Sequence, residues 1–285
     1  MKKLVAVFGM GIAAALTAPA WAQVHDYPAR PVTLIMPYSA GTGIDTATRA
    51  LAEKLRVGMK TPFIVQNKVG AGGNIGTEFV ARSAPDGYTL LVVANTLAMN
   101  PSLYKNLPYD PVRDFAPVGL LFKGAMVLVA GSKVPARNLA EFVAAAAKAP
   151  GQYNYASAGV GTPQHLAIQS ALAQIEAGKM HALAVSSPVR HPALPDVATV
   201  AESLGKPFDV DLWYGLFAPA GTSAAIVDKL HRQAQEALAD RDMRQSLSAQ
   251  GMAGAISTPA ELGALVKSDL ARWARVIEAR GIAPN

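Results

Sequence analysis

Two short stretches place small residues, hydroxyls and one carboxylate where a strand runs into a turn and then a helix. "MPYSAGTGID" spans Met36 to Asp45, and "YASAGVGTPQHLA" spans Tyr155 to Ala167. Such a layout aims backbone N–H groups and a helix dipole at an anion, and neither turn carries a lysine or arginine, so the chemistry it suits is carboxylate binding. The same glycine turns also serve as ordinary βα connections that hold no ligand. Asp45 is ambiguous for a related reason, because an acid early in a helix stabilises that terminus whatever the protein binds. His165, beside the second turn, reads equally as a first-turn helix residue and as a ligand contact.

Other chemistries find less support. A Walker A loop needs a Gly-Lys-Ser/Thr ending, which both turns lack. "GAGGNIG" (Gly70 to Gly76) approaches the dinucleotide fingerprint, but Ile75 stands where the third glycine belongs, so no nucleotide cofactor is expected. His25, His165, His181, His191 and His231 have no His-x-x-x-His spacing, and the chain has no cysteine, so no metal centre, disulfide or thiol catalysis is expected. No Gly-x-Ser-x-Gly elbow is present. A hydrolase built on Ser157 and His165 stays open as an alternative that only geometry could support.

The turns require an α/β scaffold. "VTLIMPY" reads as a strand followed by a helix over Thr46 to Val57; "FIVQN", a helix through "TEFVARSA" and "YTLLVVAN" complete a βαβαβ start. "AMVLVAG", a helix over Leu139 to Lys148 and "YNYASAG" begin a second unit. "MHALAVSS" and "DLWYGLFAP" add strands, and long helices follow Thr222, read as an N-cap, and fill Pro259 to Arg280.

Lys2 and Lys3, the apolar run Leu4 to Leu16 and the Ala20-Trp21-Ala22 site read as a signal peptide cleaved after about Ala22, and hence as export to the periplasm. About 260 residues remain, enough for two lobes. The net charge of +6 falls to +4 without Lys2 and Lys3, and its scattered basic residues argue against a nucleic-acid surface.

Read together, "YPARPVTLIMPYSAGTGID", "FIVQNKVGAGGNIGTEFVARSAPDGYTLLVVAN", "YDPVRDFAPVGLL", "NYASAGVGTPQHLA", "AGKMHALAV", "HPALPDVATVAE" and "WYGLFAPAGTS" resemble the substrate-binding proteins of tripartite tricarboxylate transporters, the Bug-type receptors. The resemblance implies a two-lobe periplasmic binding protein of type II, not an enzyme and without cofactor. Such a monomer closes over a small carboxylate, an organic acid or amino acid, and hands it to membrane permease subunits. It implies ligand contacts from Tyr38, Ala40, Gly41 and Asp45, with Ser39, Thr42 and Gly43 on the same turn. Asn95 and Thr96 belong to a neighbouring strand end, and Ser157, Ala158, Gly159, Thr162, Gln164 and His165 to the second turn. Lobe 1 is expected over 23–121 plus 220–285, and lobe 2 over 122–219.

Two departures stand out. The family usually has proline at Ser39, glycine at Thr42 and threonine near Ile44. After Ala167 it continues with a helix, a strand ending in a tyrosine-lysine-glycine loop, another helix and a strand ending in an acidic turn. Here Ile168 follows at once, and "IQSALAQIEAGK" matches the segment beyond that block. The second lobe is therefore expected to be truncated, with Thr162 to Gly178 fused into one helix, and a degenerate receptor that has lost ligand binding is the alternative function.

Overall fold

The computed structural model describes residues 27–153, 175, 178–191, 193–208, 210–279 and 281–283. Its larger sheet begins with β1 (Val32–Met36), β2 (Phe63–Asn67) and β3 (Thr89–Ala94), all parallel. In β1 and β3 the apolar residues run consecutively, and most are fully buried, as expected for strands covered on both faces. β4 (Phe115–Gly124), β7 (Leu212–Pro219) and β8 (Met252–Gly254) are antiparallel to their neighbours, in the order β2-β1-β3-β7-β4-β8. β7 is buried at every position, because it lies between β3 and β4 with helices nearby.

Helices supply the covering layers. α1 (Gly43–Met59) turns Ile44, Ala47, Leu51 and Leu55 inward at helical spacing and ends at Lys60, which is left-handed at φ 53°. It packs against α6 (Ala224–Ala239) and α7 (Arg241–Ala249). A second group pairs α3 (Thr96–Leu103) with α8 (Pro259–Ala279), and α2 (Asn74–Ala81) lies against β1 and β3. The N-cap of α6 is Ser223, whose hydroxyl accepts from the Ile226 N–H, and not Thr222 as expected. The Thr222 hydroxyl instead donates to the Pro219 carbonyl, closing the turn that leaves β7. β4 and α3 escaped the sequence reading because Pro117, Gly119 and Pro101 interrupt their patterns.

The second sheet is small. β5 (Val127–Gly131) pairs antiparallel with β6 (Met180–Val185), flanked by α4 (Leu139–Lys148) and α5 (Val200–Leu204). Its described core consists of two clusters, Val127 with Val185, and Ala130 with Ala136 and Leu183. The expected strand over Tyr153 to Gly159 and the fused helix over Thr162 to Gly178 lie almost wholly outside the described residues. β4 runs to Gly124 inside the large sheet, and β7, grouped by sequence with the second lobe, pairs in that sheet too.

Two crossovers therefore join the lobes, one leaving β4 and one entering β7. Ser186 ties them together: its hydroxyl accepts the Met126 N–H at 2.8 Å, its N–H donates to the Met126 carbonyl, and its carbonyl accepts from Val210.

Candidate functional site at the first-lobe turns

β1, β2 and β3 are parallel, so their carboxyl ends share one edge of the sheet, where ligands of open α/β sheets gather. The Met36 to Asp45 turn leaves β1 at that edge. Thr42 caps α1: its hydroxyl accepts from the Asp45 N–H and donates to the Ser39 carbonyl, while its own carbonyl accepts from the Thr46 N–H. Gly43 and Ile44, the first two helical residues, have no preceding helical carbonyl for their N–H groups, and these are the donors an anion would meet. Ser39, Ala40 and Gly41 are exposed on the rim, with Gly41 left-handed at φ 79°.

Asp45 is buried, and both its oxygens are engaged within the protein. One accepts from the Gly41 N–H and the Arg49 Nε, each at 2.9 Å, and the other from the Asn67 amide at 3.0 Å. Burial raises its pKa, but the Arg49, Gly41 and Asn67 hydrogen bonds more than offset that, and the carboxyl stays below the ordinary range. Asn67 also donates to the Tyr38 carbonyl and accepts from Arg49. Asp45 thus shapes the turn, and Arg49 balances its charge where a second anion would approach.

Tyr38 joins this turn to the next. Its hydroxyl accepts from the Ala94 N–H and shares a 2.9 Å hydrogen bond with the Thr96 hydroxyl. Burial pushes its pKa up to about 12 against the smaller opposing effect of these bonds. Asn95 and Thr96 begin α3 beside it, at 5% and 2% exposure. The Asn95 backbone is held by the Trp213 carbonyl of β7, and its side chain makes no capping bond. The structure thus brings Tyr38 and Asn95 to Thr96 together with the α1 N-terminus at one edge.

The third turn supports the other two. Gly70, Ala71, Gly72 and Gly73 all have positive φ, which wraps "GAGGNIG" tightly enough for Gly76 to rest on Pro37; a Cβ at Gly76 would lie 2.8 Å from the Lys68 carbonyl. Asn74 accepts from the Asn100 amide at 2.6 Å and the Tyr109 hydroxyl at 2.7 Å, and Asn100 also donates to the Gly72 carbonyl. Sequence reading missed Asn74, Asn100 and Tyr109. An asparagine inside the glycine loop was the available signal, but its partners lie 26 and 35 residues away.

Ser157, Ala158, Gly159, Thr162, Gln164 and His165 lie outside the described residues. Among the described residues no group of histidines and acids could hold a metal, and no helix is long and apolar enough to cross a membrane.

The family model described as "Tripartite tricarboxylate transporter family receptor" matches residues 47–170 and 167–282. The two matches meet where the resemblance breaks after Ala167. BugT of Bordetella pertussis is 32% identical, with 99% of this chain and 98% of BugT covered. That alignment has 323 positions for about 282 residues of this chain, leaving about 40 positions that it does not fill. A protein of Pseudomonas sp. strain P51 is 33% identical over 94% of this chain and 92% of its own. Among solved structures, the periplasmic binding protein BugD is 33% identical with TM-score 0.80, covering 91% of this chain and all of that one. MatC of Rhodopseudomonas palustris, solved with bound malate, is 30% identical with TM-score 0.77, covering 88% of this chain and all of that one. An R. palustris protein with adipate gives 25% identity and TM-score 0.81, covering 91% of this chain and all of that one. The fold is that of these two-lobe periplasmic binding proteins with the second lobe shortened, and the chain belongs to the tripartite tricarboxylate transporter receptor family.

Proposed function

We propose that this chain is an exported, non-catalytic receptor that captures one small carboxylate, an organic acid or amino acid, for the permease subunits of a tripartite tricarboxylate-type transporter. The observation that carries the reading is the convergence at one sheet edge of the free α1 N-terminal donors, the Tyr38–Thr96 pair and the uncapped Asn95 side chain. Malate and adipate in related structures support a carboxylate as the occupant. The second wall is assigned to Ser157, Ala158, Gly159, Thr162, Gln164 and His165 by resemblance. Ser39, Ala40, Gly41, Thr42, Gly43 and Asp45 form the rim and frame of the first. Lobe 1 comprises about 23–124 and 212–285 and lobe 2 about 125–211, since β4 and β7 both belong to the large sheet. The leader is removed after about Ala22, and the receptor acts as a periplasmic monomer whose lobes close by bending at the Ser186-linked crossovers.

Thermal unfolding of residues Gln23 to Asn285 with a panel of di- and tricarboxylates, acidic amino acids and aromatic acids tests this reading. One acid should raise the midpoint, by about 3 kcal/mol of stabilisation at a hundredfold excess over its Kd. A cooperative transition that no acid moves, with no binding by calorimetry, would overturn it. That result would favour the second reading, a degenerate receptor, which the unfilled alignment positions in the second lobe support.

A further inference from the structure

A groove of about 650 Å³ lies at the same edge of the large sheet but beyond the crossovers. Strand order separates it from the first-lobe turns, because β7 and β4, which carry the crossovers, stand between β3 and β8. One wall is first-lobe: Lys123 at the end of β4, Arg244 on α7, Leu238 on α6 and Met252 on β8. The other is second-lobe: the turn after β6, with Val189, Arg190 and His191.

The charges on these walls are unbalanced. Arg190 is paired with Glu202 at 2.9 Å and donates to the Pro195 carbonyl. Among the described residues neither Lys123 nor Arg244 forms an ion pair with a carboxylate. Asp211 is the one acid among the described lining residues and has an interaction of its own. The same groove is lined by two large exposed apolar side chains, Val189 at 71% and Ile256 at 65% exposure, and by the buried Leu238 and Met252. An isolated exposed hydrophobic residue needs no explanation, but apolar groups on both lips of a cationic groove do. The volume lies within the usual range for small-molecule sites, and a bare inorganic anion would leave the apolar lining wet.

We propose that this groove is a second ligand site, behind the hinge, for an amphipathic monocarboxylate whose head pairs with Lys123 and Arg244 and whose hydrocarbon body covers Val189, Ile256, Leu238 and Met252. Its walls belong to different lobes on the far side of the crossovers. This coupling rests on the hinge proposed above: bending at the crossovers that closes the front cleft would draw these walls apart, so occupancy here would oppose closure and the two ligands would weaken each other reciprocally.

Octanoate titrated calorimetrically into the Gln23 to Asn285 chain is the test. Saturable binding is expected, weakened about tenfold or more by Arg244→Gln, since a hydrogen bond to a charged group is lost. Val189→Trp, an exposed position, should fill the groove and abolish binding without lowering the unfolding midpoint. Thr96→Ala, in the front cleft, should leave octanoate binding intact. Absence of saturable binding by the folded protein, binding that survives both groove variants, or binding lost only in Thr96→Ala would overturn the proposal. The panel of small acids reports separately on the front cleft, so either site can fail alone.

Discussion

Replacing Tyr38 with phenylalanine removes one oxygen from a buried junction and keeps the ring. That oxygen accepts the Ala94 N–H at 2.9 Å and shares a bond of the same length with Thr96. Thr96 loses this partner, and the Ala94 N–H, fixed at the end of β3, is left unpaired. A buried group left so costs about 1–3 kcal/mol, and near 2 kcal/mol the midpoint of a chain of this size falls by about 4–8 °C. The alkaline limb gives an independent readout. The unfolded phenol titrates near 10 and the folded one at about 12, so its contribution is complete below pH 10 and lost as pH rises through 12. Between those values the unfolded state holds fewer protons than the native one, and stability falls by about 1.4 kcal/mol per pH unit for this group. Burial raises Tyr27, Tyr109 and Tyr214 as well, so the variant should keep an alkaline slope that is shallower by one proton. Urea unfolding at pH 7 and from pH 9 to 12 measures both quantities. A variant as stable as the wild type at pH 7, with an unchanged alkaline slope, would refute the junction.

Asp45→Asn should cost about 1–3 kcal/mol at neutral pH, because the Arg49 bond loses its charged acceptor. The folded Asp45 pKa is lowered, so its contribution exists above the unfolded value and is lost as pH falls through the folded one. Urea midpoints of wild type and variant should therefore converge below about pH 4, and a gap that stays constant into acid would count against this role. Gly76→Ala and Gly41→Ala should separate two reasons for glycine. The Gly76 Cβ would sit 2.8 Å from a backbone oxygen and 3.0 Å from Pro37, so the helix must shift, at about 1–3 kcal/mol, and ligand binding at the proposed carboxylate site should weaken with it. The Gly41 Cβ meets nothing within 4 Å, so only its left-handed backbone resists, at about 1 kcal/mol, a difference that paired urea curves would detect.

Periodic apolar runs and turn chemistry are local properties, so most elements of the large lobe can be read from short windows of the chain. β1, α1, β2, β3 and the two long C-terminal helices follow from patterns within about twenty residues. The first turn was legible as a strand running into a turn and a helix, but its Thr42 cap, which starts α1 at Gly43 instead of the expected Thr46, went unread although its contacts lie only three residues away. The place of the missing block was also readable, as a break in otherwise continuous resemblance after Ala167. Long-range contact decided the rest. Tyr38 meets Thr96 across 58 residues, Asn74 meets Tyr109 across 35, and Ser186 meets Met126 across 60. No short-range pattern announces such pairs. β7 shows the same limit on a larger scale: its sequence specifies a buried strand, but the strands on either side of it choose the lobe. Asp45 is the sharpest case, for a carboxylate at a helix start reads alike as ligand contact or frame. Only the folded positions of Gly41, Arg49 and Asn67 around both of its oxygens make it part of the frame.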